Sequence, residues 1–250
     1  MIELHVALTI AAAFFFGSLV KGVAGIGLPL VAISILTFVM DVRDATPMIV
    51  GPAILANIYQ IYDARRARMP LTQIAPIIAG LMGGVFVGAL IAVSIDPSIM
   101  VGVMGAIVLA FVVFSFSGAA PTVPEKGRGP MGLAAGAGTG VIGGMTGVFG
   151  PVLAIYTLSL NLQKDAFVWA MGVLLLLSSA GLGISYASLG ALPLWVAIAS
   201  AGAIVPGMIG MWTGSKIRDR VSQSLFRKVV LAILGVISLK HIATAFGFAA

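Results

Sequence analysis

The sequence contains no cysteine and very little charge. Of its 250 residues, 60% are hydrophobic and only 9% are Asp, Glu, Lys or Arg. The lack of cysteine excludes disulfides, thiolate chemistry and cysteine-ligated metals. A mean hydropathy of +1.15 excludes a water-soluble globule and indicates an integral membrane protein. The apolar runs are long, rich in glycine and uncharged, which favours packed helices over the weak alternating signal of a β-barrel.

Carboxylates are also missing from the interiors of the apolar runs. All eight Asp and Glu residues fall at loops or ends, so no buried acid offers the proton relay that is usual in pumps. There is no Walker-type phosphate loop, no Ser/His/Asp set and no His/Glu metal cluster. The sequence therefore predicts no enzyme, no cofactor and no metal site. The net charge of +6 comes mainly from cations in short loops, which indicates membrane topology and not nucleic-acid binding.

A glycine-rich break interrupts the apolar sequence near the N-terminus. Residues 21–29 read Lys-Gly-Val-Ala-Gly-Ile-Gly-Leu-Pro, and the three glycines permit an unwound turn with positive φ. Pro29 has the fixed φ that suits the first position of a new helix. The pattern predicts two short helices, residues 4–20 and 29–40, and neither needs to cross the bilayer.

The same break recurs 122 residues further along the chain. Residues 21–33 align with residues 143–155, and five of these thirteen positions are identical, where composition alone gives about one. The identical pairs are Gly22/Gly144, Gly25/Gly147, Pro29/Pro151, Ala32/Ala154 and Ile33/Ile155. The chain therefore reads as a duplicated unit: a first transmembrane repeat (residues 1–117), a Pro-containing cytoplasmic linker (118–130) and a second repeat (131–250).

Loop charges predict that the two repeats are inverted. The basic loop of the first repeat covers residues 65–68, whereas its equivalent in the second repeat, residues 188–192, is uncharged and the next loop is basic. Because basic loops lie on the cytoplasmic side, these equivalent loops lie on opposite sides of the membrane, and each repeat must cross the membrane an odd number of times. Each repeat is therefore predicted to be a re-entrant broken-helix pair followed by three transmembrane helices, giving an all-α polytopic inverted repeat. The alternative is a parallel repeat in which each broken pair is one kinked span.

Two facing breaks predict a central anion site. Non-helical backbone at membrane depth must be buried in protein or line a wet cavity. Helices that begin near Pro29 and Pro151 would aim free N–H groups and positive dipole ends at one point. Lys21 is an intramembrane cation beside this point and by default a functional candidate; the alternative is that it snorkels to an interface.

Further polar residues extend this prediction. Thr139 and Thr146 offer hydroxyl donors, and Asn57 and Gln60 face either the cavity or a neighbouring helix. Allowing for one residue lost in the second repeat, Asn57 corresponds to Ser178. The glycine stripes 80/84/88 and 132/136/140/144 indicate close helix packing. The predicted substrate-binding residues are Lys21, Gly22, Gly25, Gly27, Leu28, Pro29, Asn57, Gln60, Thr139, Thr146, Gly147, Phe149, Gly150, Pro151, Ser178 and Ser179.

These motifs resemble the TauE/SafE family of anion permeases. The resemblance rests on the break at residues 22–29, its echo at residues 144–151, the Asp-Ala pairs that follow, and the length of the two similar halves. The departure from symmetry is Gly27 against Phe149. The resemblance implies a secondary transporter in the bacterial cytoplasmic membrane that exports sulfite or a C2–C3 organosulfonate, such as sulfoacetate, by alternating access.

The expected partners are a small anionic substrate and the lipid bilayer, without nucleic acid; a homodimer is one option for the oligomeric state. Other readings of the sequence are an uptake permease for sulfate or thiosulfate, an anion channel, and a membrane subunit of a larger complex.

Overall fold

The chain folds into a helical bundle. The computed structural model describes residues 3–25, 27–117, 123–124 and 127–218, together with 232, 235–236, 238–239 and 241–243. Most of the predicted linker 118–130 and of the last predicted span, 225–246, lies outside the described residues. The helices are α1 (Leu4–Ala24), α2 (Leu28–Leu36), α3 (Val42–Met48), α4 (Val50–Asp63), α5 (Ala75–Ser94), α6 (Pro97–Ser117), α7 (Arg128–Thr146), α8 (Gly150–Ser159), α9 (Lys164–Ser188) and α10 (Leu194–Arg218).

Five helices in the described part of the chain are long and apolar enough to cross a membrane: α1, α5, α6, α9 and α10. Their outer faces are apolar too, and Leu8, Val113 and Ile184 are each more than 60% exposed. Such broad apolar exposure is unfavourable in water and suits lipid. The prediction of an all-helical multi-pass membrane protein is therefore confirmed.

Helix α1 is longer than predicted. It has 21 residues, about 31 Å at helical rise, so α1 is long enough to cross the bilayer, whereas the sequence predicted a shorter helix over residues 4–20. The helix continues past Val20 because Gly22 packs against α10 and Lys21 finds a partner inside the protein. It ends only where Gly25 adopts a positive φ.

The short helices α2 and α8 fold back along the helices before them. Gly17 lies against α2, because a Cβ there would be 2.8 Å from the Leu28 oxygen and 3.3 Å from the Ala32 Cβ. In the second repeat, Tyr156 of α8 returns to the start of α7, where its hydroxyl donates to the Arg128 carbonyl at 2.9 Å. Each broken pair is thus a helical hairpin and not one kinked span.

The predicted span 46–62 is interrupted. Helices α3 and α4 meet at Ile49, which has φ −69° and ψ −17°. Pro52 explains the interruption, because it has no N–H to donate to the carbonyl four residues earlier and its ring crowds that carbonyl. The corresponding helix of the second repeat, α9, is continuous over 25 residues.

The two repeats pack through matching contacts. A Cβ on Gly22 of α1 would lie 3.0 Å from the Gly214 Cα of α10, and a Cβ on Gly144 of α7 would lie 3.0 Å from the Gly88 Cα of α5. Gly22 and Gly144 are partners in the sequence repeat. The contact of α1 with α10 is therefore repeated as the contact of α7 with α5, and the glycine stripes pack helices closely, as the sequence predicts.

Helices α4 and α9 lie side by side and run in opposite directions. A Cβ on Gly172 would lie 2.9 Å from Ile61, and one on Gly183 would lie 2.8 Å from Val50. Residue numbers therefore rise along one helix as they fall along the other. The two helices are therefore antiparallel where they pack.

Candidate functional site

A small cavity joins the two helix breaks in the interior of the bundle. Its volume is about 20 Å³, room for roughly one water molecule. It is bounded by both breaks and by the middle parts of α4 and α9. The lining residues are Lys21, Gly27, Leu28, Pro29, Leu30, Ala53, Asn57, Val148, Phe149, Gly150, Leu175 and Ser179.

Both breaks begin with the same backbone cap. Gly25 has φ +80° and its N–H donates to the Lys21 carbonyl at 2.7 Å; Gly147 has φ +72° and its N–H donates to the Gly143 carbonyl at 2.7 Å. A left-handed residue with this hydrogen bond terminates a helix, and glycine adopts it without steric cost. The paired glycines therefore stop α1 and α7 in the same way.

The breaks differ where the next helix starts. Gly27, which precedes α2, has φ +118°, whereas Phe149, which precedes α8, has φ −100°. Position 149 therefore does not require glycine, and the buried Phe149 ring occupies the space beside Gly143, where a Cβ would collide with it. The first break therefore contributes the backbone of Gly27 to the cavity wall, and the second break contributes the aromatic residue Phe149.

Two helix N-termini border the cavity. Helix α2 begins at Leu28 and α8 begins at Gly150, each with proline at the next position. The first N–H groups of a helix have no acceptor within it, and they carry the positive end of the helix dipole. The backbone of residues 27–30 and 148–150 therefore presents an environment that favours negative charge.

Lys21 is held at this point by Gln60. The lysine is 2% exposed, and its Nζ donates to the Gln60 Oε1 at 2.7 Å. Gln60 in turn donates from Nε2 to the Val168 carbonyl at 2.9 Å. Among the described residues no carboxylate pairs with Lys21. The ammonium is enclosed in protein, so the snorkelling alternative does not describe it.

Asn57 and Ser179 supply the polar side chains on the opposite wall. The Asn57 Nδ2 donates to the Ser179 Oγ at 3.4 Å, and that hydroxyl donates to the Leu175 carbonyl at 2.8 Å. The two residues are 122 positions apart, the same offset as the breaks. The Asn57 Oδ1 is buried and has no hydrogen-bond partner among the residues that the structure describes.

Eight of the sequence-predicted residues line the cavity and eight do not. Three of the residues outside the lining, Thr139, Thr146 and Ser178, donate their hydroxyl protons to carbonyls four residues earlier in their own helices. Thr139, for example, donates to the Ala135 carbonyl at 2.6 Å. Thr146 also accepts from the Val148 N–H at 3.2 Å, so it shapes the second break. The residues outside the lining are Gly22, Gly25, Gln60, Thr139, Thr146, Gly147, Pro151 and Ser178.

Sequence reasoning missed four lining residues, Leu30, Ala53, Val148 and Leu175. Leu30 follows Pro29 directly in the first turn of α2. Ala53 and Leu175 lie one helical turn before Asn57 and Ser179 and therefore share their faces. Helical spacing could have found both once those two polar residues were singled out. Val148 follows the left-handed Gly147, and no periodic signal marks it.

In the described part of the chain, a multi-pass helical bundle encloses the buried cation Lys21 between two helix starts, as suits a membrane transport protein. The chain belongs to the sulfite exporter TauE/SafE family, whose model matches residues 10–241. This confirms the resemblance seen in the sequence and places the chain in a family of membrane transporters. Comparison with curated proteins and with solved structures finds no match.

Proposed function

We propose that this protein exports a small sulfur-containing oxyanion, sulfite or a C2–C3 organosulfonate such as sulfoacetate, across the bacterial cytoplasmic membrane. The observation that carries the proposal is that Lys21 and both helix starts line one cavity. Sulfur oxyanions present several acceptor oxygens, which match an ammonium and the N–H groups of Leu28, Leu30, Phe149 and Gly150 at the two helix starts.

The size of the cavity supports alternating access. A small cavity lined mainly by buried residues fits an occluded state, which opens to one side of the membrane at a time. The two predicted repeats, residues 1–117 and 131–250 joined by the linker 118–130, are interleaved, because each of the tightly packed pairs α1–α10 and α5–α7 takes one helix from each repeat. These two pairs supply the bodies that rock about the cavity.

The opposite directions of α4 and α9 support an inverted repeat. A parallel repeat would keep equivalent helices pointing the same way across the membrane. The loop charges agree, because Arg65, Arg66 and Arg68 follow α4, whereas the turn between α9 and α10 carries no charge. The basic ends of α4 and α10 are then cytoplasmic.

The proposed topology predicts a labelling pattern in this cysteine-free chain. Single cysteines at Arg66 and Lys216, both exposed, should be shielded from an impermeant thiol reagent in intact cells. A cysteine at the exposed Ser188 should react. Permeabilised cells provide the control, because all three positions should then label. Labelling of Arg66 and Lys216 from opposite sides would contradict the inverted repeat.

Export of this kind needs no proton site. The charged residue of the lining is Lys21, and no carboxylate is present there. An inside-negative potential drives an anion outward with about 2.3 kcal/mol per charge per 100 mV. Uptake of sulfate or thiosulfate would instead need a coupling ion.

Efflux of a pre-loaded anion from proteoliposomes should therefore follow the membrane potential. An imposed potassium-diffusion potential should accelerate it, and a proton gradient at fixed substrate protonation should change it little. Protein-free liposomes give the background leak. Strict dependence on the proton gradient would show that the chain is proton-coupled.

A further inference from the structure

One residue of the cavity lining carries a buried acceptor that has no partner among the described residues. Asn57 is 2% exposed, it lines the cavity, and its buried Oδ1 makes no hydrogen bond within the described part of the chain. An unsatisfied carbonyl in a buried site is costly, and native proteins rarely keep one without a reason. An acceptor is also unexpected in a site whose other features favour negative charge.

The hydrogen-bond network fixes which atom of the Asn57 amide is left over. The Ser179 hydroxyl donates its proton to the Leu175 carbonyl, so towards Asn57 it can only accept. The amide must therefore turn its Nδ2 to Ser179. This leaves the carbonyl oxygen, and not the NH₂ group, without a partner.

The charge of Lys21 also restricts which anion fits the cavity. Lys21 is the charged side chain of the lining, and its Nζ keeps further protons beyond the one that it donates to Gln60. In its protonated form Lys21 supplies one positive charge, which matches one negative charge. A dianion, or an anion without hydrogen on oxygen or nitrogen, would turn a lone pair towards the Asn57 carbonyl and leave that group unsatisfied.

We propose that the site selects a monoanion that also carries an O–H or N–H group, which the Asn57 Oδ1 accepts while Lys21 and the helix starts bind the anionic oxygens. This proposal rests on the proposed function and narrows its range of substrates. Hydrogensulfite is then the bound form of sulfite. Sulfonates with a nearby hydroxyl or amine are favoured over purely alkyl sulfonates.

Sulfamate and methanesulfonate test this directly. They share charge and approximate shape, and they differ by an NH₂ group against a CH₃ group. On the purified protein at one pH, sulfamate should bind roughly tenfold more tightly, the effect of one hydrogen bond. Sulfate, a dianion without a donor, should bind more weakly than both.

The variant Asn57→Leu should remove the preference, so that the two monoanions bind equally. Its retained binding of methanesulfonate shows that the cavity is intact; if that variant fails to fold, the ratio in the parent protein decides alone. Gln73→Leu, which changes an exposed amide outside the cavity, should keep the preference. Equal binding of the two monoanions by the parent would overturn this inference and leave the proposed function standing. Absence of binding for sulfite and for both monoanions would overturn the proposed function as well.

Discussion

Lys21→Met is expected to weaken binding of hydrogensulfite roughly ten- to a hundredfold, because a hydrogen bond to a charged group contributes about 1.5–3 kcal/mol. Met keeps the apolar stem and removes the ammonium. Lys21→Arg should not restore affinity, since the planar guanidinium differs in reach and geometry from the ammonium that contacts Gln60. The measurement is anion affinity on folded, monodisperse protein.

Stability should change little in this variant. An apolar side chain in place of a buried charge without a carboxylate partner often stabilises a protein, but the buried Gln60 Oε1 loses its donor, which costs stability. Lys21→Met should therefore unfold close to the temperature of the parent. The exposed Lys216 gives the matched control, because Lys216→Met should change neither property. Parent-like binding by Lys21→Met would remove Lys21 from the site.

Gly84→Ala is expected to destabilise the protein strongly, whereas Gly83→Ala should leave stability unchanged or slightly higher. A Cβ on Gly84 would collide with the Ala137 carbonyl and lie 2.9 Å from the Gly140 Cα, while a Cβ on Gly83 meets nothing within 4 Å. Backbone on both sides cannot give way easily, and overpacking of this kind costs about 1–3 kcal/mol or more. Thermal unfolding in one detergent, with yield of monodisperse protein, measures the difference.

The repeat extends this prediction to the other helix pair. Gly210 of α10 faces Phe15 of α1, where a Cβ would collide with the Phe15 carbonyl and lie 3.1 Å from its Cα. Gly210→Ala should therefore destabilise about as much as Gly84→Ala, while Gly202→Ala, in open space on α10, is the control. Stability of Gly84→Ala equal to that of Gly83→Ala would show that α5 and α7 do not pack as closely as described.

The helix breaks were predictable from the sequence because they depend on local backbone chemistry. Gly25 and Gly147 have the positive φ expected of them, and Pro29 and Pro151 lie at the starts of α2 and α8. The length of α1 was not predictable in the same way. Lys21 and Gly22 would end a helix in lipid, and they continue it here because Gln60 and α10 receive them.

The cavity lining also shows where prediction from the sequence fails, here by a single residue. Counting along the repeat with one lost residue pairs Asn57 with Ser178, whereas in the structure Asn57 contacts Ser179. Successive residues of a helix point about 100° apart, so an error of one position moves the prediction from Ser179, which lines the cavity, to Ser178, which does not.

The sequence by itself determined the membrane class, the duplication, the two breaks and the buried cation. Lipid forces every backbone polar group into a helix or a protein-lined cavity, and only glycine tolerates the turn between the paired helices. Tertiary structure alone decided that the breaks meet in one cavity, that Gln60 positions Lys21 without lining it, and that the Asn57 carbonyl stays unpartnered. These features depend on contacts between helices that are more than a hundred residues apart in the sequence. The local conformational preferences of the two helices do not determine which of their faces meet.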